Sequence, residues 1–537
     1  MKQTGKGKAT DHRVSGSGGP PKAASGTAKR TTVREPARSP LSAVPRDRLR
    51  LSPRQVALEL LVQQEQQGRP LDQVLAEYPP GRWPVDRRDR QLVRALVYEV
   101  LRRRGFLDQV LARYAKHPLA KMKPLTLAAL RLGLAQLLFF ERLPPAAAID
   151  ETIRALKAAH QPRWLTGFVN GLLRNTARER EDLLGQAAQQ ADWLSVPPWL
   201  RQRREQQLGP ELARRRSQAE NQAPPLVLRV NPVKIQPPEL AARLRAAGLE
   251  VEEGYLTPAA LRLPTYHGRV EELPGFADGW LAVQDEAAQL VTMLLAGAPS
   301  ADQSATPLNT TSLYLDACAG LGGKTAHLAE LLPPGAGLVA LEPHAGRFAL
   351  LGDNLHRLGI KFAQLPPHVA SEELARRLPT SAAHQHPVML GRQTLESFAA
   401  LLDSASVTRP FQGILLDAPC SGLGVVRRHP DIRWNRRPED LRRYQQQQIA
   451  LLQKAVELLA PGGMVVYVVC SNEPEENREV IDAVMRRVPG LAITDPRALL
   501  PPAAAALVDR EGFFRCGPET GLDGFFAARL TLVANDA

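Results

Sequence analysis

From Ser312 onward, short apolar runs alternate with segments of helical period, and this alternation most constrains the fold. The apolar runs lie at 312–317, 337–342, 413–419, 464–470 and 523–533. Helical patterns follow the first four, at 323–332, 345–358, 438–460 and 475–488. Strands joined by helices form a parallel sheet covered on both faces, because a parallel crossover needs a dozen or more residues. We therefore predict a doubly wound α/β domain over residues 281–537, with insertions near 297–312 and 365–386.

Two further patterns precede this domain. Over 52–180 the apolar residues recur at helical spacing, as at Leu92, Leu96 and Val100, and prolines mark the helix ends. We predict an all-α bundle over 51–190. Between 191 and 280, after Pro197 and Pro198 interrupt the helices, a strand at 225–232 and a helix at 238–248 predict a small α+β module.

Charge separates the first 50 residues from the rest of the chain. They hold 12 Lys and Arg against 3 Asp and Glu, which is +9 of the net charge of +14, and they show no apolar periodicity. We predict a disordered basic arm over 1–50, either a solubilising extension or a nonspecific tether to RNA. A polyanion partner would have to be recognised by local patches on the folded part.

Cysteine spacing and hydropathy exclude several classes of protein. Cys318, Cys420, Cys470 and Cys516 are at least 46 residues apart, which excludes a zinc ribbon, a C-x-x-C pair and a dense disulfide framework. No apolar stretch is long enough to cross a bilayer, and the first 30 residues lack the apolar core of a secretory signal. We expect a cytoplasmic monomer with reduced thiols, no metal and no membrane segment.

A glycine-rich turn joins a strand to a helix in LDACAGLGGKT (315–325), which is a cradle for a ligand at a helix N-terminus. A phosphate-binding loop needs Gly where Cys318 stands, and a nicotinamide fingerprint needs a third Gly where Thr325 stands. The run ILLD ending at Asp417 also mimics the second motif of phosphate-binding NTPases. Against that alternative, Glu342 ends the next apolar run about 20 residues on, where an acid holds ribose hydroxyls. The pattern favours a nucleoside-type cofactor.

Two cysteines follow neighbouring strands of the predicted sheet. Cys420 stands in DAPCSG directly after one apolar run, and Cys470 ends the next run in VYVVCSN. Since the carboxyl ends of parallel strands face the ligand crevice, both thiols should converge on the cofactor pocket. One buried cysteine is usually a packing residue. Two at strand ends, each followed by Ser, and one of them three residues after Asp417, indicate catalysis by a thiolate.

One reaction in particular needs a thiolate. The C5 carbon of cytosine is a poor nucleophile, but addition of a thiolate to C6 makes it enamine-like and able to take a methyl group from a sulfonium. A carboxyl group at N3 and N4, a role that suits Asp417, absorbs the developing charge. A base then removes the C5 proton, and a second cysteine can assist release of the enzyme thiol.

Several segments of the chain resemble the motifs of a known family. Four of them resemble motifs of the RsmB/Sun/Fmu family of RNA 5-methylcytosine methyltransferases: DACAGLGGKT, DAPCSGLGVVRRHPDIRW, PGGMVVYVVCSNEPEENREV and LDGFFAARL. RHPDIRW (428–434) resembles the bacterial 16S rRNA members of the family. Segments at 89–108, 127–139 and 168–175 resemble a NusB-like RNA-binding domain. The resemblance covers residues 52–533 and implies a Rossmann-like methyltransferase domain, S-adenosyl-L-methionine as cofactor and 16S ribosomal RNA as partner.

The resemblance also implies roles for individual residues. It makes Cys470 the nucleophile, Cys420 the cysteine that aids product release, and Asp417 a contact of both the target base and the methyl donor. Lys324 becomes the partner of an active-site base, and Glu342 the ribose ligand. The cofactor loop would consist of Cys318, Ala319, Gly320, Leu321, Gly322, Gly323 and Lys324.

The chain departs from the family pattern at four places. Gly320-Leu321 replaces Ala-Pro, Val469 replaces the Thr before the nucleophile, and Glu342 replaces an Asp. The family's GDxR-like acid after the third strand, which grips the adenine side, has no counterpart in LGRQTLESF (390–398). Gln393 is the best equivalent, and it can hydrogen-bond adenine without carrying charge.

Basic residues crowd positions 427–437, the loop that follows Cys420. Such side chains give affinity for a nucleic-acid backbone, and an aromatic among them can stack on a splayed base. The target cytosine must be flipped or single-stranded to expose C5 and C6. We predict that RNA is bound by Arg427, Arg428, His429, Arg433 and Trp434, with Arg436 and Arg437 beside them.

Two alternatives remain at this point. An RNA-binding assembly or antitermination factor with a degenerate methyltransferase domain would explain the NusB-like segment and the altered cofactor motifs. The intact Asp417, Cys420 and Cys470 argue against it. The same chemistry directed at tRNA is the other alternative.

Overall fold

A computed structural model describes residues 51–297, 312–366, 371–378 and 388–533. The basic arm predicted over 1–50, and most of the two insertions predicted near 297–312 and 365–386, lie outside the described residues. Within the described residues, the chain forms a helical bundle, a small antiparallel sheet with one helix, and a larger mixed sheet covered by helices. The predicted fold class is therefore confirmed.

The helical part runs from Pro53 to Asn221. Leu96 and Val100 of the predicted stripe are buried in its core. The helices begin where the sequence provides caps: Ser52 forms a capping box with Gln55, and Asp86 accepts from the Arg88 amide. The helices are α1 (Pro53–Gln67), α2 (Leu71–Glu77), α3 (Arg87–Tyr114), α4 (Pro124–Phe139), α5 (Pro145–Ala158), α6 (Arg163–Arg178), α7 (Arg180–Leu194), α8 (Pro198–Leu208) and α9 (Pro210–Asn221).

Helices α8 and α9 were not expected from the sequence. Pro197 and Pro198 were interpreted as the end of the helical region, but Pro198 occupies the first turn of α8. Proline fits there because the first amides of a helix have no intrahelical partner. The proline pair therefore separates two helices and does not end the helical region.

The middle module is an antiparallel sheet of order β2-β3-β1-β4, flanked by one helix. Its strand β4 pairs with β1, Leu281 opposite Val230, so the module extends past the predicted boundary at residue 280. Its elements are β1 (Leu226–Val230), α10 (Pro237–Ala246), β2 (Glu252–Glu253), β3 (Ala260–Leu263) and β4 (Leu281–Val283).

The C-terminal part is a sheet of order β11-β13-β10-β9-β5-β6-β8-β7, with β12 paired to β13. Pairing is parallel from β10 to β7, but β13 runs antiparallel to its neighbours. The sheet is therefore mixed, because the predicted parallel sheet has one antiparallel strand at this edge. The elements are α11 (Glu286–Ala296), β5 (Leu313–Asp316), α12 (Gly323–Leu331), β6 (Gly337–Leu341), α13 (Ala345–Leu358), β7 (Phe362–Gln364), α14 (Ser371–Arg377), β8 (Val388–Gly391), α15 (Leu395–Ser404), β9 (Phe411–Asp417), α16 (Ile432–Asn435), α17 (Pro438–Glu457), β10 (Leu459–Val469), α18 (Arg478–Met485), β11 (Leu491–Ile493), β12 (Phe514–Cys516) and β13 (Phe525–Leu532).

The strand order reverses at β5, which has β6 on one side and β9 on the other. In open α/β sheets a crevice forms at such a reversal, beyond the carboxyl ends of the strands. The glycine-rich turn follows β5, Asp417 ends β9 and Cys470 follows β10. The topology thus brings the chemistry predicted from separate motifs to one edge of the sheet.

The loop after Cys420 packs against the helical bundle. We call residues 427–435 the docking segment. Its Arg433 is fully buried, and Trp434 packs on the bundle core. The contacts are Asp431 Oδ2 with the Leu71 amide (3.0 Å), Trp434 Nε1 with the Leu101 carbonyl (2.7 Å), Gln64 Nε2 with Asn435 Oδ1 (3.0 Å), and Arg433 with Asn221 Oδ1 (2.8 Å) and the Ser195 carbonyl (3.2 Å).

The basic residues at the start of the docking segment are also paired within the protein. Their ion pairs are Arg427 Nε with Asp523 Oδ1 (2.7 Å), Arg428 Nη2 with Asp285 Oδ2 (2.7 Å) and His429 Nδ1 with Asp72 Oδ2 (3.0 Å).

The prediction that these side chains bind RNA stays a prediction, but the structure already gives them partners within the protein. Arg427 and Arg433 are buried, and the polar groups of Arg428, His429 and Trp434 are bound to protein. The physical reason is that a buried guanidinium needs internal partners, and domain docking supplies them.

Replacing Arg433 tests whether this junction stabilises the fold. Burial, opposed by Glu220, lowers the pKa of Arg433 to about 10, so the guanidinium is charged at neutral pH. Arg433→Ala would leave its acceptors unpaired and should lower the unfolding free energy by about 3 kcal/mol. The exposed Arg486→Ala should change it by less than about 0.5 kcal/mol. Denaturant titration checks both, and a wild-type midpoint for Arg433→Ala would contradict the assignment.

Candidate active site

The two cysteines predicted to act together are in contact. Cys420 Sγ lies 3.2 Å from Cys470 Sγ. The contact follows from the parallel pairing of β9 with β10, in which Asp417 lies opposite Val468 and the Ala418 amide donates to the Val468 carbonyl (2.9 Å). The hydrogen bond with Cys470, and next to it burial, raise the pKa of Cys420 well above its usual range. Cys420 is therefore a thiol at neutral pH.

A buried carboxylate joins the two loops that carry these cysteines. Glu476 accepts from the Ser421 amide (2.7 Å), the Ser421 hydroxyl (2.5 Å) and the Ser471 hydroxyl (2.5 Å). Gln448 Nε2 of α17 donates to the same carboxylate (3.1 Å) and to the Pro419 carbonyl (2.9 Å). Because Ser421 follows Cys420 and Ser471 follows Cys470, hydrogen bonds to the Glu476 side chain connect the two loops that carry the cysteines.

Sequence reasoning missed Glu476. A helix was predicted over 475–488, but α18 begins at Arg478, and a short 3-10 turn over 474–476 turns Glu476 into the core. Burial raises the pKa of Glu476, and the hydrogen bonds from the two serines oppose that effect. The available signal was the Ser that follows each cysteine: two hydroxyl donors at neighbouring strand ends need a buried acceptor.

Two glycines bring a third loop against the loop that carries Cys470. The Gly424 amide donates to the Cys470 carbonyl (3.0 Å), and the Gly524 amide donates to the Gly424 carbonyl (2.8 Å). A Cβ at Gly424 would lie 2.1 Å from the Gly524 carbonyl oxygen. Any larger residue at Gly424 would separate these backbones. The motifs SGLG and LDGF therefore come into contact only because residues 424 and 524 are both glycine.

Lys324 and Asp417 form an ion pair beside the cysteines, with Nζ 2.7 Å from Oδ2. Burial alone would lower the pKa of Lys324, but the charge and hydrogen bond of Asp417 raise it. The ammonium also lies 5.4 Å from the centre of the Phe525 ring. The pair presents a fixed carboxylate at the carboxyl end of β9.

The glycine-rich turn joins β5 to the N-terminus of α12. Gly320 and Gly322 have positive φ values of 57° and 86°, a region that favours glycine. The Thr325 hydroxyl donates to Asp316 Oδ2 (2.7 Å), which joins the helix to the strand. Burial raises the pKa of Asp316 to about 6, and its Oδ1 has no hydrogen-bond partner. The turn therefore offers backbone amides and open space beside Gly320.

Glu342 and Gln393 follow the neighbouring strands β6 and β8. Glu342 is buried, and its Oε1 accepts from the His344 amide (2.7 Å) and pairs with Arg347 (3.0 Å). Gln393 is also buried, and its Oε1 has no partner in the protein. An unpaired buried oxygen beside an acid at a strand end fits a ligand that offers both hydroxyl and N–H donors, such as a nucleoside.

The site residues predicted from sequence thus divide into two groups. The cofactor loop 318–324, Glu342, Gln393, Asp417 and the two cysteines line the carboxyl edge of the sheet, whereas the residues predicted to bind RNA lie in the docking segment. In the described ranges, no group of three or more His, Cys, Asp or Glu side chains is placed to hold a metal ion. The described helices are likewise too short or too polar to span a bilayer.

Comparison with known proteins agrees with this geometry. Residues 305–531 match the family model for the 16S rRNA methyltransferase RsmB/F. Ribosomal RNA small subunit methyltransferase B of Klebsiella pneumoniae (strain 342) is 34% identical over 477 residues, which cover 89% of this chain and 97% of that protein. The chain belongs to the RsmB/F family of 16S rRNA methyltransferases. The Salmonella typhi protein of the same description is 34% identical over 474 residues, covering 88% of this chain and 96% of the relative.

The other comparisons follow the same domain order for this RsmB/F chain. Residues 51–178 match the NusB family, and residues 196–268 match the ferredoxin-like domain of RsmF/B-like methyltransferases. The crystal structure of PH0851 aligns with a TM-score of 0.65 at 21% identity, covering 89% of this chain and 99% of that one. At that identity the likeness shows the fold alone.

Replacing Glu476 tests the junction between the cysteine loops of this RsmB/F methyltransferase. Glu476→Ala removes the acceptor shared by both serines, and we expect kcat to fall about 100-fold, since displacement of reacting groups by about 1 Å has such an effect. The matched control is Glu479→Ala, because Glu479 is exposed three positions further on. It should retain wild-type activity in the same methyl-transfer assay. Equal activity of the two variants would show that Glu476 does not position the cysteines.

Proposed function

We propose that this protein transfers a methyl group from S-adenosyl-L-methionine to C5 of a cytosine in 16S ribosomal RNA, through a covalent bond between Cys470 and C6 of the base. The observation that carries the proposal is the contact of Cys420 and Cys470 at 3.2 Å, beside the Lys324–Asp417 pair. The bacterial relatives act on ribosomal RNA by name. A cytoplasmic location follows from that substrate.

The cofactor would be held by the three strand ends on one side of the cysteines. The turn 318–324 provides amides and the close approach at Gly320, Glu342 would accept from the ribose hydroxyls, and Gln393 Oε1 would accept from the adenine amino group. Asp417 would contact both the methyl donor and the base. When bound, S-adenosyl-L-methionine supplies an electrophilic methyl group on a sulfonium.

The first step would be addition of the Cys470 thiolate to C6. The S–C6 bond forms, and the electron pair of the C5–C6 bond becomes available at C5 to bond the methyl carbon as the methyl–sulfonium bond breaks. Asp417 would accept from the N4 amino group and pass a proton to N3, which neutralises the negative charge that develops there. The Lys324 ammonium, 2.7 Å from Asp417 Oδ2, can supply that proton and take it back when the aromatic ring is restored.

The second step would restore the aromatic ring. The C5 proton leaves, the C6–S bond breaks, and the electron pair of that bond returns to the Cys470 sulfur. Cys420 can take part in both proton transfers of this step, because it is a thiol in contact with Cys470. It can donate its proton to the departing sulfur and then accept the C5 proton.

The roles of the two cysteines predict different products. Cys470→Ala should abolish both methyl transfer and any protein–RNA adduct, because no bond to C6 can form. Cys420→Ala should still attack and methylate, so that an adduct persists as a denaturation-resistant complex on a gel. The reverse pattern would exchange the two roles. Full activity of both variants without an adduct would contradict covalent catalysis.

Cofactor binding tests the strand-end assignments separately. Glu342→Ala removes a charged hydrogen-bond acceptor and should weaken S-adenosyl-L-methionine binding about 10- to 100-fold, and Gln393→Ala about 2- to 10-fold. Asp353→Ala is the control, because Asp353 is an exposed acid on α13. Isothermal titration calorimetry measures all three. Tighter binding of ATP than of S-adenosyl-L-methionine by the wild type would contradict the cofactor assignment.

A further inference from the structure

The side chains of the docking segment are paired within the protein, but basic side chains continue beyond it. Arg436 and Arg437 stand immediately before α17, and Arg443 and Tyr444 lie in its second turn. Arg437 and Arg443 are exposed, the side chain of Arg443 to 68%. We call Arg436, Arg437, Arg443 and Tyr444 the α17 cluster.

The α17 cluster is attached to the loop that carries Cys420. Arg436 Nε donates to the carbonyl of Ser421, the residue after Cys420, at 2.8 Å. The guanidiniums of Arg436 and Arg443 lie 5.5 Å and 5.3 Å from the centre of the Tyr444 ring. One turn further along α17, Gln448 donates to the Pro419 carbonyl on the other side of Cys420 (2.9 Å). The position of the cluster relative to the reacting thiols is therefore fixed.

The charges of the α17 cluster are not balanced within the protein. Asp440 pairs with Arg443 at 2.9 Å. Within the described residues no carboxylate forms an ion pair with Arg436 or Arg437. Placing two guanidiniums at one tyrosine ring, with Arg437 exposed at the start of the same helix, costs free energy through like-charge repulsion, and an anion recovers it. Guanidiniums also bind phosphate oxygens through two parallel hydrogen bonds.

We propose that the α17 cluster binds the RNA backbone next to the target nucleotide, with guanidiniums on the flanking phosphates. The inference rests on the proposed function, since a cytosine at the Cys420–Cys470 pair places its neighbours within reach of the residue after Cys420. A single-stranded RNA segment fits because its phosphates supply the missing anions. The exposed faces of arginine and tyrosine also offer stacking surfaces for an unpaired base.

Charge-removing variants test this proposal without altering the cysteine loops. Arg437→Gln/Arg443→Gln should weaken binding of a 16S rRNA transcript about 10-fold near 0.15 M KCl. The slope of the logarithm of the binding constant against the logarithm of the KCl concentration should fall in magnitude by about 1.4, at about 0.7 for each phosphate that is no longer neutralised. KM for RNA should rise by the same factor as the dissociation constant, with kcat changing far less. Arg437→Lys/Arg443→Lys should restore most of the affinity, because phosphate binding needs the charge.

The matched control is Arg486→Gln/Arg487→Gln, which removes two exposed arginines at the far end of α18. It should bind RNA as the wild type does. Wild-type affinity and slope for Arg437→Gln/Arg443→Gln, or an equal decrease in the control, would overturn the proposal. Failure of the proposed function would appear differently, as absence of methyl transfer by the wild type. S-adenosyl-L-methionine affinity equal to that of the wild type shows that each variant is folded.

Discussion

The Glu476 carboxylate is the interaction on which the geometry of the site depends. Four hydrogen bonds from Ser421, Ser471 and Gln448 converge on it inside the protein. A buried carboxylate with fewer donors would be costly, and without it the two hydroxyls would lose the acceptor that they share. This carboxylate therefore joins the loops after β9 and β10 in the arrangement in which the two thiols touch.

The docking segment links this arrangement to the helical bundle. It leaves the Cys420 loop, inserts Arg433 between α7 and α9, and places Trp434 against α3. The position of the NusB-like bundle relative to the cysteines is set by buried hydrogen bonds. The bundle and the sheet edge that carries the cysteines are therefore held in one relative position.

Periodicity and strand-end logic predicted much of this from sequence. The alternation after Ser312 identified the strands that carry the site, and α13 has the predicted bounds. The rule that parallel strands end at one edge brought Cys420 and Cys470 together. Basic composition at 427–434 did not reveal that these side chains are paired within the protein, because guanidiniums that can bind phosphates also bind the carboxylates of a docking surface. Glu476 was missed because its inward orientation depends on a single turn before α18. The antiparallel direction of β13 was missed because an apolar run has the same pattern whichever way the strand runs.

Bisulfite sequencing of 16S rRNA tests the central claim, that the Cys420–Cys470 pair methylates cytosine C5 in this RNA. Cells lacking the gene are complemented with the wild-type protein or with Cys470→Ala, and their 16S rRNA and tRNA are sequenced in parallel. We expect a 16S rRNA cytosine that resists conversion only with the wild-type protein. Identical 16S rRNA patterns in both strains, or a difference confined to tRNA, would contradict the claim.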